Sequence, residues 1–298
     1  MPSTKLTKDM TKVSIPQEEN AFEIFSVYRL NKLCKDIGSL CILLGMAIFV
    51  IYHGSAVTML SGHAFGASNE ITVAAAVSLK DAFNDIGRIY ESRTGTKVVF
   101  NFGASGVLQK QIEGGAPVDV FASAGEKQMN ELESKGLIIQ ETRHDFARNA
   151  LVLVVPSDSQ LNVHSFNDLD NPNLKRLAIG NPKTVPAGQY TRQLLTNVKL
   201  WEKLQSKLIL AEDVRQVLDY VARGEVDAGV VYASDVPIAQ GRVAVAARVS
   251  EELHDPILYP IAVIKESRES RSARGFVDLV LNPEGQNVLR KYGLLSIK

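Results

Sequence analysis

Four short stretches put small or hydroxyl-bearing residues where an apolar run gives way to a helix-like segment. They are Ser78 in "AAAVSLKDAF", Ser105 in "FGASGVLQKQI", Ala187 in "NPKTVPAGQYTRQLL" and Val214 in "AEDVRQVL". The first turn of a helix leaves backbone N–H groups without intrahelical partners, and the aligned peptide dipoles make that end partly positive. Such a turn can hold an anion on bare N–H groups. Each also has a plainer reading. Ser78 has Asp81 three residues on, the spacing of a capping box. Ser105, between Gly103 and Gly106, reads as a helix cap whose backbone something approaches closely. Pro186 suits the first position of a helix, with Ala187 and Gly188 offering unhindered N–H groups. Asp213 with Gln216 three residues later reads as an N-cap, which leaves Val214 with an unpaired N–H. One such turn signifies only a helix start. Four are more than capping requires, and if they converge they make an anion site with no cationic side chain. Lys80 and Lys110 fall about one turn inside the following helices and read as solvated surface residues.

Other chemistries find little local support. "GASGV" is not a nucleophile elbow, because Val107 stands where the last glycine is needed. There is no Walker-type phosphate loop and no dinucleotide glycine fingerprint. His53 and His63 lie in the leader. His144, His164 and His254 lie in polar, loop-like stretches without catalytic or metal spacing. A Ser-His-Asp site assembled by the fold stays open, without local evidence. The 33 Lys and Arg balance the 33 Asp and Glu, which argues against a nucleic-acid partner. No block of like charges forms an interaction tail.

The elements that must position these turns alternate. "ITVAAAVSL", "KVVFNF", "VDVFASA", "ALVLVVP", "RLAIGNP", the short "LILAED", "DAGVVYAS" and "ILYPIAVI" read as strands. Helices follow most of them, among them "DAFNDIGRIYESRTG", with Phe83, Ile86 and Tyr90 at helical spacing, and "VRQVLDYVARG", with Val214, Val217, Leu218 and Val221 on one face. Two helices broken at Pro283 close the chain. This pattern predicts an α/β fold of largely parallel sheets, in two lobes because the units are too many for one small sheet. In such sheets ligands sit where strand C-termini meet helix N-termini.

The first 67 residues read as a leader. From Ile37 to Asn69 there is no Asp, Glu, Lys or Arg, and "SLCILLGMAIFVIY" is compactly apolar behind Arg29, Lys32 and Lys35. Small residues at Ala64, Gly66 and Ala67 follow. That is the layout of a secretory signal peptide, although the uncharged stretch is also long enough to anchor in a bilayer if it is not cleaved. Either way the remainder is exported. Cys34 and Cys41 both lie in the leader, so the mature part has neither disulfide nor thiolate metal site. Leu40 before Cys41 argues against lipidation.

At the same turns the sequence resembles the periplasmic molybdate-binding proteins of bacterial ABC transporters. "ITVAAAVSLKDAF", "FGASGVLQKQIEGGAPVDVFASA", "NPKTVPAGQY", "VRQVLDYVARGEVDAGVVYASD" and "FVDLVLNPEGQNVLRKYG" carry the resemblance, which runs from about Ile71 to Gly293. It implies a two-lobed type II periplasmic binding protein fold, with two mixed, mostly parallel sheets flanked by helices and the ligand cleft between lobes. The implied lobes are 68–149 plus 236–298, and 150–235. The chain should cross between them near Arg148 to Ala150 and again near Tyr232 to Pro237. The implied ligands of molybdate are Ser78 and Ser105, each by hydroxyl and backbone N–H, Ala187 and Val214 by backbone N–H, and Tyr232 by its phenol. Molybdenum would thus be held only as its oxoanion.

The resemblance further implies a monomer with no cofactor and no catalytic residue, which binds molybdate or tungstate in the periplasm and delivers it to an ABC permease. A binding protein for another oxoanion such as sulfate, or for a small acid, is the alternative on the same fold. An effector-sensing domain of a transcription regulator would need a DNA-binding unit where the export signal stands. An exported hydrolase lacks a visible base.

Overall fold

In the computed structural model, residues 70–297 are described. The leader and both cysteines lie outside them. The described residues belong to one compact unit, Ser68–Lys298. Among them no helix is long and apolar enough to cross a membrane.

Two five-stranded sheets organise this unit, in the orders β2-β1-β3-β10-β4 and β7-β6-β8-β5-β9. The first comprises β1 (Glu70–Ala76), β2 (Lys97–Gly103), β3 (Val120–Ala122), β4 (His144–Arg148) and β10 (Leu258–Val263). The second comprises β5 (Leu151–Pro156), β6 (Leu177–Gly180), β7 (Leu208–Ala211), β8 (Ala228–Tyr232) and β9 (Val243–Arg248). The sheets share a plan. Three parallel strands (β2-β1-β3 and β7-β6-β8) are followed by a strand that runs antiparallel to them, β10 or β5. This is the two-lobed architecture that the alternation of elements anticipates, with the mixed sheets that the resemblance implies.

The helices close over the sheets as the apolar spacing requires. Helix α1 (Lys80–Thr94) buries Ala82, Phe83, Ile86 and Tyr90 and ends at Gly95, whose φ of 69° is a left-handed cap. It lies close on β2, because Gly87 faces the Phe100 ring. Phe83 anchors the first lobe, with Phe100, Phe146 and Phe276 all within 6.2 Å between ring centroids. The second lobe is aliphatic, packed by α4 (Pro186–Asn197) and α6 (Val214–Ala222). The other helices are α2 (Ser105–Glu113), α3 (Glu126–Ser134), the short α5 (Trp201–Leu204), α7 (Ser270–Leu281) and α8 (Pro283–Lys291).

Two strands escape the sequence reading. β4 has exposed polar residues at His144 and Asp145, so no apolar run announces it, and His144 is in a strand rather than a loop. β9 is alanine-rich and half exposed, and it shields the free edge of β5. It also alters the expected path. The chain passes from β4 to β5 near 148–150. After Tyr232, however, it stays with the second sheet through β9 and reaches the first sheet only at β10. Residues 243–248, expected with the first lobe, pair in the second sheet, because β5 would otherwise present an unpaired edge.

Candidate functional site

The parallel strands of both sheets bring their C-terminal ends to one pocket. Register fixes this: Ala76 pairs with Gly103 at the end of β1 and β2, and Gly180 with Ala211 at the end of β6 and β7. Each chain then turns into its helix within a few residues. Ser78, Ser105, Ala187, Val214 and Tyr232 all line the pocket, with Ala124, Val185 and Pro186 between them. All five are at least nine-tenths buried. The space left between them is small.

The turns reach this arrangement differently from their capping readings. Ser78 sits inside a 3-10 turn, Val77–Leu79, and caps nothing. Its Oγ lies 3.2 Å from the Tyr259 hydroxyl. Asp81 accepts instead from Arg215 Nη2 at 2.8 Å, a charge-assisted bond that an uncharged cap cannot match. Ser105 is the first residue of α2, and Ala104 is its N-cap. Ser105 Oγ accepts from the Ala124 N–H at 3.1 Å. The Gly106 N–H donates across to Thr184 O in the second lobe at 2.9 Å. A Cβ at Gly106 would stand 2.6 Å from that oxygen, so glycine is what lets the lobes touch here.

In the second lobe the donors are backbone groups. Pro186 opens α4 and has no N–H, so Ala187 carries the first one. A Cβ at Gly188 would fall 1.9 Å from Gly180 O, which shows how tightly this helix start sits on β6. Asp213 caps α6 by accepting from the Gln216 N–H at 2.9 Å, as its spacing predicts. The Val214 N–H, at the first helical position, has no intrahelical acceptor. Tyr232 closes the ring at the end of β8. Burial raises its phenol well above the ordinary value, so it stays a donor. Its proton points to Ala124 O at 3.0 Å.

No Lys or Arg is among the residues lining the pocket. Arg215, next to Val214, is covered by two carboxylates: Nε donates to Asp235 at 2.7 Å and Nη2 to Asp81. Asp235 is fully buried, and burial, opposed by Arg215, pushes its carboxyl up to about 6. Lys80 and Lys110 are exposed, as read, and Lys110 pairs with Glu113. The one charged residue lining the pocket is Asp213, whose carboxylate is taken up by its helix cap, so what favours an anion there must come from helix starts rather than side-chain charge. A wider, open groove lies between α3 and α4, but Glu126, Glu131, Glu252 and Asp255 line it against Lys127 and Arg192. It is a poor place for an anion and holds none of the five residues.

Several residues at the pocket carried no signal in the sequence. Ala124 serves both Ser105 and Tyr232 through its own peptide groups. Asn149 and Tyr259 stand behind Ser78. Arg215 finds its partners 20 and 134 residues away. Only the polar Asn149 directly before the buried run of β5 could have drawn notice.

A two-lobed fold with a small pocket where the strand ends and helix starts of both sheets meet fits a solute-binding protein. The sequence bears this out: the chain belongs to the bacterial extracellular solute-binding protein family, matched over residues 71–295. It is 36% identical to the molybdate-binding protein of Escherichia coli over 82% of this chain and 96% of that one. It is 35% identical to the molybdate-binding protein of Haemophilus influenzae over 78% and 92%. The periplasmic molybdate-binding protein of Azotobacter vinelandii superposes with a TM-score of 0.69 over 76% of this chain and all of that one, at 24% identity, which speaks for the fold.

Proposed function

We propose that this protein captures molybdate, and tungstate with it, outside the cytoplasmic membrane and hands the anion to an ABC permease, without chemical change. The observation that carries this is the pocket itself, with donors from both lobes and no cationic side chain facing in. On this reading Ser78 and Ser105 give hydroxyl and backbone N–H, Ala187 and Val214 give backbone N–H, and Tyr232 gives its phenol. The Tyr232 proton turns from Ala124 O to the ligand. The kinship to proteins named for molybdate, at 35% and 36% identity, supports the choice of anion.

A ring of donors selects by protonation. Molybdate and tungstate are fully deprotonated dianions at neutral pH and need only donors. Hydrogen phosphate carries a proton that would face donors, at a cost of roughly 1–3 kcal/mol. Sulfate has no such proton and is discriminated by size, because a smaller tetrahedron leaves donors stretched. We further infer a monomer whose leader, residues 1–67, directs export, and lobes that follow the two sheets.

Calorimetric titration with molybdate, tungstate, sulfate and hydrogen phosphate tests the reading. Tight isotherms with the first two are expected. Silence with molybdate beside a clear sulfate isotherm would overturn it.

A further inference from the structure

Behind Ser78 lies a chain of buried polar groups whose hydrogen-bond directions can be worked out atom by atom. Asn149 Oδ1 accepts from the Ala150 N–H at 3.0 Å. A backbone N–H can only donate, so this contact fixes which end of the amide is which. Asn149 Nδ2 must then face the other way. It donates to Ser234 Oγ at 2.8 Å and to the Tyr259 hydroxyl at 3.0 Å. Tyr259 is fully buried and is held firmly as a phenol, because burial raises it above its ordinary value. With its oxygen accepting from Asn149, its proton needs an acceptor. The Ser78 Oγ at 3.2 Å supplies one. The reverse direction, Ser78 donating to Tyr259, would leave the phenolic proton only the neighbouring Tyr232 oxygen, a more distant partner than Ser78, in a buried site where a poorly met proton is costly. The other phenol nearby, Tyr232, meets the Tyr259 ring edge-on and directs its own proton to Ala124 O.

We propose that Asn149 and Tyr259 are positioning residues that lock the Ser78 hydroxyl as a donor to the bound anion; the inference rests on the oxoanion reading above. The relay runs in one direction: Asn149 N–H to Tyr259, Tyr259 O–H to Ser78, Ser78 O–H to the pocket. Ser105 is locked in the same sense by a shorter device, since its Oγ accepts from the Ala124 N–H. Each serine then has one lone pair engaged behind the pocket and its proton left for the ligand. The bias toward an anion that only accepts is thus set behind the pocket as well as in it. Asn149 stands where the chain passes from β4 to β5, and Ser234 just beyond β8. The relay therefore ties the donor direction of Ser78 to the two segments that leave Ala147–Arg148 and Tyr232.

The test compares molybdate with hydrogen phosphate at about pH 8, where both are dianions; they differ in the proton and in size, and the size difference cancels when each variant's ratio is set against the wild type's. Tyr259→Phe keeps the ring but frees Ser78 to turn either way. It should weaken molybdate about tenfold while leaving hydrogen phosphate unchanged or tighter, so that the ratio of affinities falls at least about tenfold. Asn149→Asp supplies an acceptor where Tyr259 now meets a donor, which reverses the relay and should lower the ratio further. Thermal unfolding of each variant checks that it folds. Equal losses for both anions, or an unchanged ratio in folded variants, would overturn the relay. The wild-type titration judges the ligand separately. If sulfate binds in place of molybdate, the molybdate reading fails and the sulfate-to-phosphate ratio judges the relay. If no oxoanion binds, both fail.

Discussion

The two lobes bring the same kind of strand-to-helix turn to the pocket and equip it differently. The first lobe offers Ser78 and Ser105, whose hydroxyls are oriented from behind by Tyr259 and by the Ala124 N–H. The second offers Ala187 and Val214, where only the main chain can donate. The difference shows what a side chain adds to a helix start. A backbone N–H is aimed by the helix and can only donate. A hydroxyl reaches further, but it both donates and accepts until something occupies its lone pairs. The first lobe therefore needs a buried polar network, and the second manages with proline, alanine and a well-formed aspartate cap.

The sharpest way to break the comparison is to hold the lobes apart. Gly106→Val puts a side chain where Thr184 O stands 2.6 Å from the Cβ position. Molybdate affinity should fall by roughly a hundredfold or more, in a protein whose ligand-free melting is little changed, because the obstruction is between lobes rather than within one. Affinity close to wild type would show that the lobes need not meet at this point.

The ion cluster that joins the lobes gives a stability signature. The folded-state carboxyl of Asp235, at about 6, lies above its ordinary value of 3.8. The folded protein thus holds this proton more tightly than the unfolded chain. The resulting stability is complete below about pH 4 and is lost as pH rises through about 6, by up to about 3 kcal/mol. Chemical denaturation of the wild type and Asp235→Asn between about pH 4 and 7 should show that the difference between them changes over this window. Parallel curves would mean that Arg215 holds Asp235 ionised throughout.

Within the lobes the contrast can be sharpened residue by residue. Ser105→Ala removes a donor and leaves the buried Ala124 N–H without its acceptor, so binding should weaken by roughly 1–3 kcal/mol. Val214→Pro removes only an N–H, at a helix position proline tolerates. A loss of about 1–2 kcal/mol in calorimetry is expected, with helix content unchanged by circular dichroism. Val214→Ala should change affinity by less than about twofold, since no side-chain atom is called on. If the alanine variant lost as much as the proline variant, the second lobe would be binding through side chains after all.

Where the outline could be read from the sequence, local chemistry dictated it. Buried apolar runs at 71–76 and 151–156 specify strands, and helical spacing through Phe83, Ile86 and Tyr90 specifies α1. Asp213 and Gln216 specify a cap that the structure contains. The edge strands β4 and β9 were not legible, because an edge needs no continuous apolar face and the alanines of β9 favour helix over strand. Their pairing depends on β10 and β5, partners far along the chain. The Ser78–Asp81 spacing misled for a related reason. Arg215 offers Asp81 a charged partner 134 residues away, and no local motif competes with that.

The sequence by itself determined the alternation of elements and the four small-residue helix starts. These follow from periodicity, proline and glycine geometry and capping, all of which act over a few residues. The tertiary structure decided that the starts meet in one pocket, that Gly106 touches Thr184, that Arg215 is neutralised by Asp81 and Asp235, and that Asn149 and Tyr259 stand behind Ser78. Those depend on strand order and register. Both are set by burying two sheets at once, and no short stretch of the chain contains that information.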